Sequence, residues 1–217
     1  MTKTGAAARP HLDLAPESFV EALQHYRKPI TAGVIVLAAA IGGLWLWKRS
    51  GEIKEVRAAA AYSVAEAAFG AGNAPLAQPE LEKVVSRYAG TSAGTQAAML
   101  LAQILYDQGK FADGISQLEA ALAKAPDALE AGTLALIGSG HEGVGASAEA
   151  AAAFDRAAQA AEFGEDQDMY RMSAARNHVA AGNVAVARSI YEDIALREDA
   201  SYAGEAKLRL GELMGKA

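Results

Sequence analysis

The chain contains no cysteine, which excludes disulfide bonds, thiolate metal sites and cysteine nucleophiles. A lipid anchor on an N-terminal cysteine is excluded for the same reason. The compartment is left open, because a bacterial periplasmic protein can also do without disulfides.

Aromatic residues are scarce, at 6% of 217 residues, and no segment shows the period-2 alternation of a β-strand. Alanine is abundant, and it favours helix because its side chain loses no entropy on entering one. We therefore expect an all-α protein.

The net charge of −6 is unevenly distributed. Residues 1–49 carry a net charge of +3, whereas residues 50–217 carry −9. An acidic body repels phosphate backbones, so we expect no nucleic-acid partner.

One long stretch has no charged side chain: residues 30–47, ITAGVIVLAAAIGGLWLW. At about 1.5 Å per residue a helix of this length spans roughly 27 Å, close to the hydrocarbon thickness of a bilayer. Basic pairs flank the stretch, and Trp45 and Trp47 suit anchors at the membrane interface. We predict an uncleaved transmembrane helix over residues 29–48. A buried core helix and a cleaved signal peptide are the alternatives, and the exit sequence Trp-Lys-Arg-Ser-Gly lacks a small-residue cleavage site.

Charge does not orient this helix, because four basic residues precede it and four follow it closely. Ala38 lies four residues before Gly42, and Ala39 four before Gly43. This small-xxx-small spacing permits close contact with a partner helix. The alternative is that both residue types are simply common in this chain.

The segment ahead of the span, residues 1–28, is predicted to be a tail that contains a short amphipathic helix. Phe19, Leu23 and Tyr26 fall on one face of that helix. A flexible tail with chance periodicity is the other interpretation.

A repeat occupies the rest of the chain, residues 49–217. Gly72, Gly109, Gly145 and Gly182 recur with steps of 37, 36 and 37 residues. Such a period is typical of stacked units that bury their apolar faces against one another. Each unit is predicted to be two antiparallel helices joined at the glycine, which supplies a left-handed conformation.

Other positions repeat in register with these glycines. Small residues lie seven before and five after each glycine, and a large apolar residue lies nine after it. The earlier small column is Ala65, Ala102, Gly138, Ala175 and Gly211, with Val64, Leu101, Ile137, Ala174 and Leu210 just before it. The later columns are Ala77, Gly114, Ala150 and Ala187, then Leu81, Leu118, Phe154 and Tyr191. Small residues let the paired helices approach, and large ones fill the space between units.

On these columns the sequence resembles the tetratricopeptide repeat. The best unit is residues 98–127, with Leu101-Ala102, Tyr106, Gly109, Phe111, Gly114, Leu118, Ala121 and Pro126 in the family's positions. The resemblance covers about residues 55–217 and implies about four units and a capping helix from about Tyr202 to Met214.

The resemblance also implies a concave groove lined by the first helix of each unit, which would bind protein partners. By position, the groove candidates are Tyr62, Glu66, Phe69, Met99, Gln103, Tyr106, Ser139, Glu142, Met172, Arg176 and Val179. The alternative is that many of these are ordinary core or solvated residues.

Two features that could carry chemistry have structural explanations. Gly138 to Gly143 match G-x-G-x-x-G, but no parallel sheet is predicted around them and Gly138 already occupies a repeat column. His141 and His178 share another column, and no two histidines are placed to share a metal. We expect no catalytic residue, metal or cofactor, and no enzymatic activity.

The order of tail, span and repeats resembles the ancillary SecYEG translocon subunit family of bacterial inner membranes, through residues 33–73. This resemblance implies a cytoplasmic N-terminus, a periplasmic repeat domain and translocon or chaperone partners. The alternative is a dedicated structural subunit of one large inner-membrane complex, respiratory or photosynthetic.

Overall fold

The computed structural model describes residues 27–197 and 199–215, and within these ranges the backbone is helical and contains no strand. The helices are α1 (Arg27–Gly70), α2 (Ala74–Arg87), α3 (Ser92–Asp107), α4 (Phe111–Leu122), α5 (Asp127–Gly143), α6 (Ser147–Ala160), α7 (Gly164–Ala180), α8 (Val184–Leu196) and α9 (Ala203–Gly215). The all-α class is therefore confirmed. The predicted amphipathic helix in the tail lies outside the described residues.

The repeat glycines stand at the turns between paired helices. Gly72, Gly109, Gly145 and Gly182 have φ values of 76°, 74°, 75° and 83°. An L-residue rarely adopts this left-handed conformation, so glycine is required at each turn. The described residues thus form four helical hairpins, α1–α2, α3–α4, α5–α6 and α7–α8, followed by α9.

The chain divides into two compact units, Met1–Gly51 and Glu52–Ala217. In the first, the described side chains on α1 are largely exposed, including Val36, Leu37, Ile41, Leu44 and Leu46. Trp45 and Trp47 are exposed as well, and the Arg49 guanidinium lies 5.6 Å from the centre of the Trp45 ring.

The candidate membrane-helix contacts also lie on this part of α1. Ala38, Ala39 and Gly43 are exposed and Gly42 is half-buried. A Cβ added at Gly42 or Gly43 would meet no atom within 4 Å, so both glycines offer open surface. Among the described residues, no helix is both long enough and apolar enough to span a membrane.

In the second unit each helix packs against the next along the chain, and the predicted columns form the core. Ala65, Ala102 and Ala175 are fully buried, as are the small residues that follow each glycine. The large column is buried too: Leu81, Leu118, Phe154 and Tyr191. Small and large residues therefore pack as the repeat predicts.

Two members of the columns depart from the prediction. Val64 is exposed because no hairpin precedes the first one within the described residues, whereas Leu101 and Ile137 are buried. Gly211 is exposed because no further helix follows α9 and packs on it within the described residues.

Candidate partner-binding groove

The candidate groove is the surface formed by the first helix of each hairpin: α1 from Glu52 onward, then α3, α5 and α7. Hydrogen bonds join neighbouring members of this row. The Tyr106 hydroxyl on α3 donates to the Leu136 carbonyl on α5 at 3.1 Å. The Asn177 side-chain amide on α7 donates to the Glu142 carboxylate on α5 at 2.6 Å. The first helices thus lie side by side.

The first hairpin contributes three candidates. Tyr62 and Phe69 are half-buried against the Leu81 and Leu101 core, and Glu66 is exposed. The Tyr62 hydroxyl donates to the Glu66 carboxylate at 3.1 Å. Burial, together with that carboxylate, raises the pKa of Tyr62 to about 12. Tyr62 therefore keeps its proton, and its hydroxyl remains a hydrogen-bond donor to Glu66.

Tyr106, from the second hairpin, is wedged between hairpins. Its ring centre lies 5.4 Å from that of Phe111. A Cβ at Gly114 would overlap the Tyr106 ring, and one at Gly140 would overlap its hydroxyl. Burial raises the pKa of Tyr106 to about 12. Tyr106 joins the second hairpin to the third, and only part of its ring reaches the surface.

The other candidates on α3 differ in exposure. Met99 is half-buried and packs against the core around Leu118, and a Cβ at Gly132 would lie 3.3 Å from its terminal methyl group. Gln103 is exposed. This part of the groove therefore combines exposed Gln103 with half-buried Met99. The thioether side chain of methionine adapts readily to different contacts.

The candidates on α5 are both exposed. The Ser139 hydroxyl donates to the Ala135 carbonyl one turn earlier, at 3.1 Å. Glu142 is held by buried Asn177, whose side-chain amide also donates to the Ser173 carbonyl at 3.0 Å. Asn177 was missed at the sequence level, because its partner is 35 residues away.

Met172, on α7, requires a correction. Its side chain is 1% exposed and packs with Ala175, Tyr191 and Ile194 in the core of the fourth hairpin. It cannot touch a partner in this conformation, because α8 and α9 cover it. The repeat column placed the residue on the correct helix but not on the correct face.

The remaining α7 candidates face outward. Arg176 is exposed and donates to the Ser173 hydroxyl at 3.2 Å, while Val179 is half-buried. Together with Tyr191 and Leu213 they line a small cleft between α7, α8 and α9, where Arg209 pairs with Glu212 at 3.2 Å.

The glycine-rich motif is part of helix α5, Asp127–Gly143, and its glycines receive aromatic rings. A Cβ at Gly138 would lie 2.9 Å from the Phe154 ring. Cβ atoms at Gly140 and Gly143 would overlap Tyr106 and Phe111 respectively. Close helix packing therefore accounts for all three glycines.

The two histidines sit at helix interfaces. His178 Nε2 lies 2.9 Å from the Asp155 carboxylate on α6, and its side chain is nearly buried. His141 is half-buried on α5. Within residues 27–197 and 199–215 no three His, Asp or Glu side chains are grouped to hold a metal.

An ion-pair network at the far end of the stack was not predicted. Asp168 on α7 is buried and accepts a hydrogen bond from Arg197, beyond the end of α8. Arg171 lies 3.9 Å from Asp168 and 2.6 Å from Asp193. A buried carboxylate needs such partners, so the network ties α7 to α8.

A second cleft lies on the edge of the stack, between the start of α5, the end of α6 and the start of α7. Exposed Phe163 and half-buried Tyr170 line it, together with Asp127, Glu162 and Asp166. Burial, and then the Asp166 carboxylate, raises the pKa of Tyr170. No repeat column indicated this cleft, because it is built from helix ends and from the segment that joins α6 to α7.

Comparison with known proteins places this geometry in a family. Residues 23–137, just over half of the chain, match the tetratricopeptide repeat-like domain. The chain belongs to this family. No curated protein matches the chain.

Solved structures extend the tetratricopeptide-like fold over more of the chain. One is the crystal structure of nearly identical TPR-like repeats from a Podosopora anserina chain assigned as a kinesin light chain, at 17% identity and a TM-score of 0.58. The match covers 72% of this chain and 85% of that one. A single-residue variant of the same protein matches with the same identity and TM-score and with 84% of that chain covered. At this identity the likeness shows the fold alone.

Tetratricopeptide repeats generally mediate protein–protein interactions, so the family supports a protein-interaction scaffold with protein partners. The face that such a scaffold would use here combines exposed polar side chains with half-buried Tyr62, Phe69, Met99 and Val179. This combination can bind a peptide segment by hydrogen bonds at its rim and apolar contact beneath.

Proposed function

We propose that this chain is a membrane-anchored scaffold that binds other proteins through its tetratricopeptide-like groove. Its α1 segment anchors it in a bacterial inner membrane with the N-terminus in the cytoplasm and the repeats in the periplasm. There it serves translocating or folding proteins, in the manner of a translocon or chaperone accessory. It carries no catalytic centre and needs no cofactor.

The run of exposed apolar side chains on α1 carries the anchoring proposal. Val36, Leu37, Ile41, Leu44 and Leu46 are each at least 60% exposed. A contiguous apolar surface of this kind marks a membrane or protein contact, and here the sequence around it is free of charge over residues 30–47. Trp45, with Arg49 beside its ring, suits the position where the acyl chains meet the headgroups.

Membrane association is tested on the full chain by alkaline extraction of bacterial membranes. Leu37→Arg combined with Leu44→Arg should release the chain into the soluble fraction, since each arginine at a helix centre costs about 2.5–3.5 kcal/mol on insertion. Leu196→Arg, at an exposed leucine in the repeats, is the matched control. Equal retention of all three proteins would contradict the anchor.

Orientation is tested separately with a membrane-impermeant thiol reagent, because the natural chain has no cysteine. Ser201→Cys should be labelled in cells whose periplasm is accessible, and Thr4→Cys should be labelled only after lysis. Labelling of Thr4→Cys alone in unlysed cells would reverse the proposed orientation.

Use of the groove is tested by affinity capture from gently solubilised membranes. Arg176→Glu combined with Gln103→Arg alters the exposed groove surface, and Arg188→Glu on α8 is the control. Loss of captured proteins from the groove variant alone supports the scaffold. Recovery of one complex of fixed stoichiometry from the natural chain would instead indicate a dedicated structural subunit.

A further inference from the structure

The first helix of the repeat unit has an apolar face that remains exposed among the residues the structure describes. Ile53, Val56, Ala60, Val64 and Ala67 follow one another at helical spacing and are all exposed. Val56 is 70% exposed and Val64 is 64% exposed. We call these five residues the α1 edge face. Terminal units of a repeat stack usually present a polar outer surface, and this one does not.

The α1 edge face is the counterpart of an interface that is buried inside the stack. One repeat of 37 residues later, Val56, Ala60, Val64 and Ala67 correspond to Ala93, Ala97, Leu101 and Ile104. Those four residues are 0–4% exposed, because the first hairpin packs against them. The first hairpin has the same face, and no preceding hairpin covers it within the part of the chain that the structure describes.

We propose that a second copy of this chain covers the α1 edge face, so that the protein forms a parallel dimer through α1. In a two-stranded coiled coil, residues at the a and d positions of a heptad meet across the seam. With Ile53 at a, Val56 falls at d, Ala60 at a, Ser63 at d and Ala67 at a, while Val64 flanks the seam at e. The small size of Ala60, Ser63 and Ala67 lets the two helices approach closely there.

Charge complementarity favours a second copy over an unrelated helix. Glu52 falls at a g position and Arg57 at the e position of the next heptad, five residues later. In a parallel coiled coil, g of one helix lies beside that e of the other, so the twofold axis creates two opposite-charge pairs. Both residues are exposed.

The opposite face of α1 is already occupied by the chain's own repeats. Ala58 and Ala65 are fully buried, and Tyr62 packs against the first core. Lys54 donates to the Ala89 carbonyl at 2.8 Å, and Glu55 accepts from the backbone N–H of Ser92. The seam and the packed face therefore lie on opposite sides of α1. The α1 helix of a second copy can reach the seam without displacing the repeats that pack on the other side.

The parallel direction rests on the proposed membrane anchor, because two copies inserted in one membrane must leave it in the same direction. The seam from Glu52 to Ala67 makes a short coiled coil that is weak in water. Confinement in one bilayer raises the effective concentration of the partner.

Disulfide trapping tests the dimer on the natural cysteine-free background. Val56→Cys in the full chain, oxidised in native membranes, should give about tenfold more crosslinked dimer than Val186→Cys, because tethered partners meet at high effective concentration. Val186 on α8 is the matched control, since it is also an exposed valine on a helix. Equal yields from the two variants would overturn the proposal.

The register is tested with three further single cysteines. A parallel, in-register pair predicts crosslinking of Ile53→Cys, Ala60→Cys and Ala67→Cys, each with its own copy. Crosslinking of Ala60→Cys alone would indicate an antiparallel pair and overturn the parallel arrangement. Crosslinking of these variants to a different protein would identify an unrelated partner and also overturn it.

A charge exchange supplies a second readout in the Val56→Cys background. Arg57→Glu should lower the dimer yield roughly threefold, because it places like charges side by side. Adding Glu52→Arg should restore the yield. Failure of the double exchange to recover the dimer would contradict the proposed g–e pairing.

The yield of crosslinked dimer is measured in the fraction, membrane or soluble, that contains the chain. The anchor and the dimer can therefore be refuted independently of each other. A chain in the soluble fraction refutes the anchor. A chain in the membrane fraction without crosslinking at Val56→Cys refutes the dimer and leaves the scaffold proposal standing.

Discussion

The Glu55 carboxylate on α1 accepts a hydrogen bond of 3.2 Å from the backbone N–H of Ser92, at the first turn of α3. Its other oxygen lies 3.3 Å from the N–H of Ala93. A carboxylate beside unpaired amide groups at a helix N-terminus is favourable because of both the hydrogen bonds and the helix dipole. One residue of α1 therefore ties the first hairpin to the N-terminus of α3.

Glu55→Ala should lower the free energy of unfolding of the full chain by about 0.5–2 kcal/mol, the range for loss of a helix cap. Glu119→Ala, at an exposed position on α4, serves as the control and should change it little. Denaturant unfolding in detergent measures both. An unaffected Glu55→Ala protein would mean that Ser92 and Ala93 are capped by water instead.

Gly109→Val and Gly109→Ala should both destabilise the repeats, although a Cβ at Gly109 would meet nothing within 4 Å. The cost, about 1–3 kcal/mol, arises entirely from forcing an L-residue into positive φ. The comparison variant is Gly211→Ala in helix α9, where an added Cβ also meets nothing within 4 Å. It should raise the free energy of unfolding by about 0.5–1 kcal/mol, because alanine has a higher helix propensity than glycine. Opposite signs of the two alanine effects are the expected result, and equal signs would contradict the turn assignment.

Tyr106 should make the repeats sensitive to alkali. Burial raises its pKa to about 12 in the folded chain from the ordinary 10.0 of tyrosine, so the folded state holds the proton more tightly. This contribution is complete below pH 10 and is lost as the pH rises towards 12. In Tyr106→Phe the unfolding free energy should decrease less over that pH range. It should also be lower by a constant amount at every pH, because the hydrogen bond to the Leu136 carbonyl is lost. Curves of the two proteins that stay parallel from about pH 9.5 to about pH 11.5 would refute the assignment.

Met172 and Arg176 are one helical turn apart and should behave oppositely. Met172→Ala removes a buried side chain and should cost about 2–5 kcal/mol of stability. Arg176→Ala, at an exposed position, should leave the free energy of unfolding within about 0.5 kcal/mol and act on partner capture instead. A stable Met172→Ala protein that loses its partners would restore Met172 to the groove.

Much of the fold was predictable because a repeat imposes local requirements at fixed spacing. The turns at Gly72, Gly109, Gly145 and Gly182 each need positive φ, and the small and large columns each need burial, so both left a trace in the sequence. Contacts between residues that are far apart in the chain left no such trace in the sequence. The pairs Asn177–Glu142 and Asp168–Arg197 join residues 35 and 29 positions apart that no spacing rule connects.

The groove was predicted less well than the fold. Helix assignment followed from the repeat, but the exposure of each position depends on the packing of the neighbouring hairpin. Met172 is covered by α8 and α9, and Tyr106 fits into space left by Gly114 and Gly140. Neither relationship can be read from a single column, because each depends on the sizes of residues in two other helices.

The interior glycines of α5 that receive side chains from other helices determine how cooperatively the stack folds. Gly132, Gly138 and Gly140 lie inside this helix, and each costs about 1 kcal/mol of intrinsic helix stability relative to alanine. The compensating contacts come from Met99, Phe154 and Tyr106, and two of these belong to the preceding hairpin. The third hairpin is therefore a weak autonomous unit with strong coupling to its neighbours. In a nearest-neighbour description of repeat folding, a unit of this kind is stable only when the hairpins on both sides are folded. The hairpins should therefore unfold together in one cooperative transition.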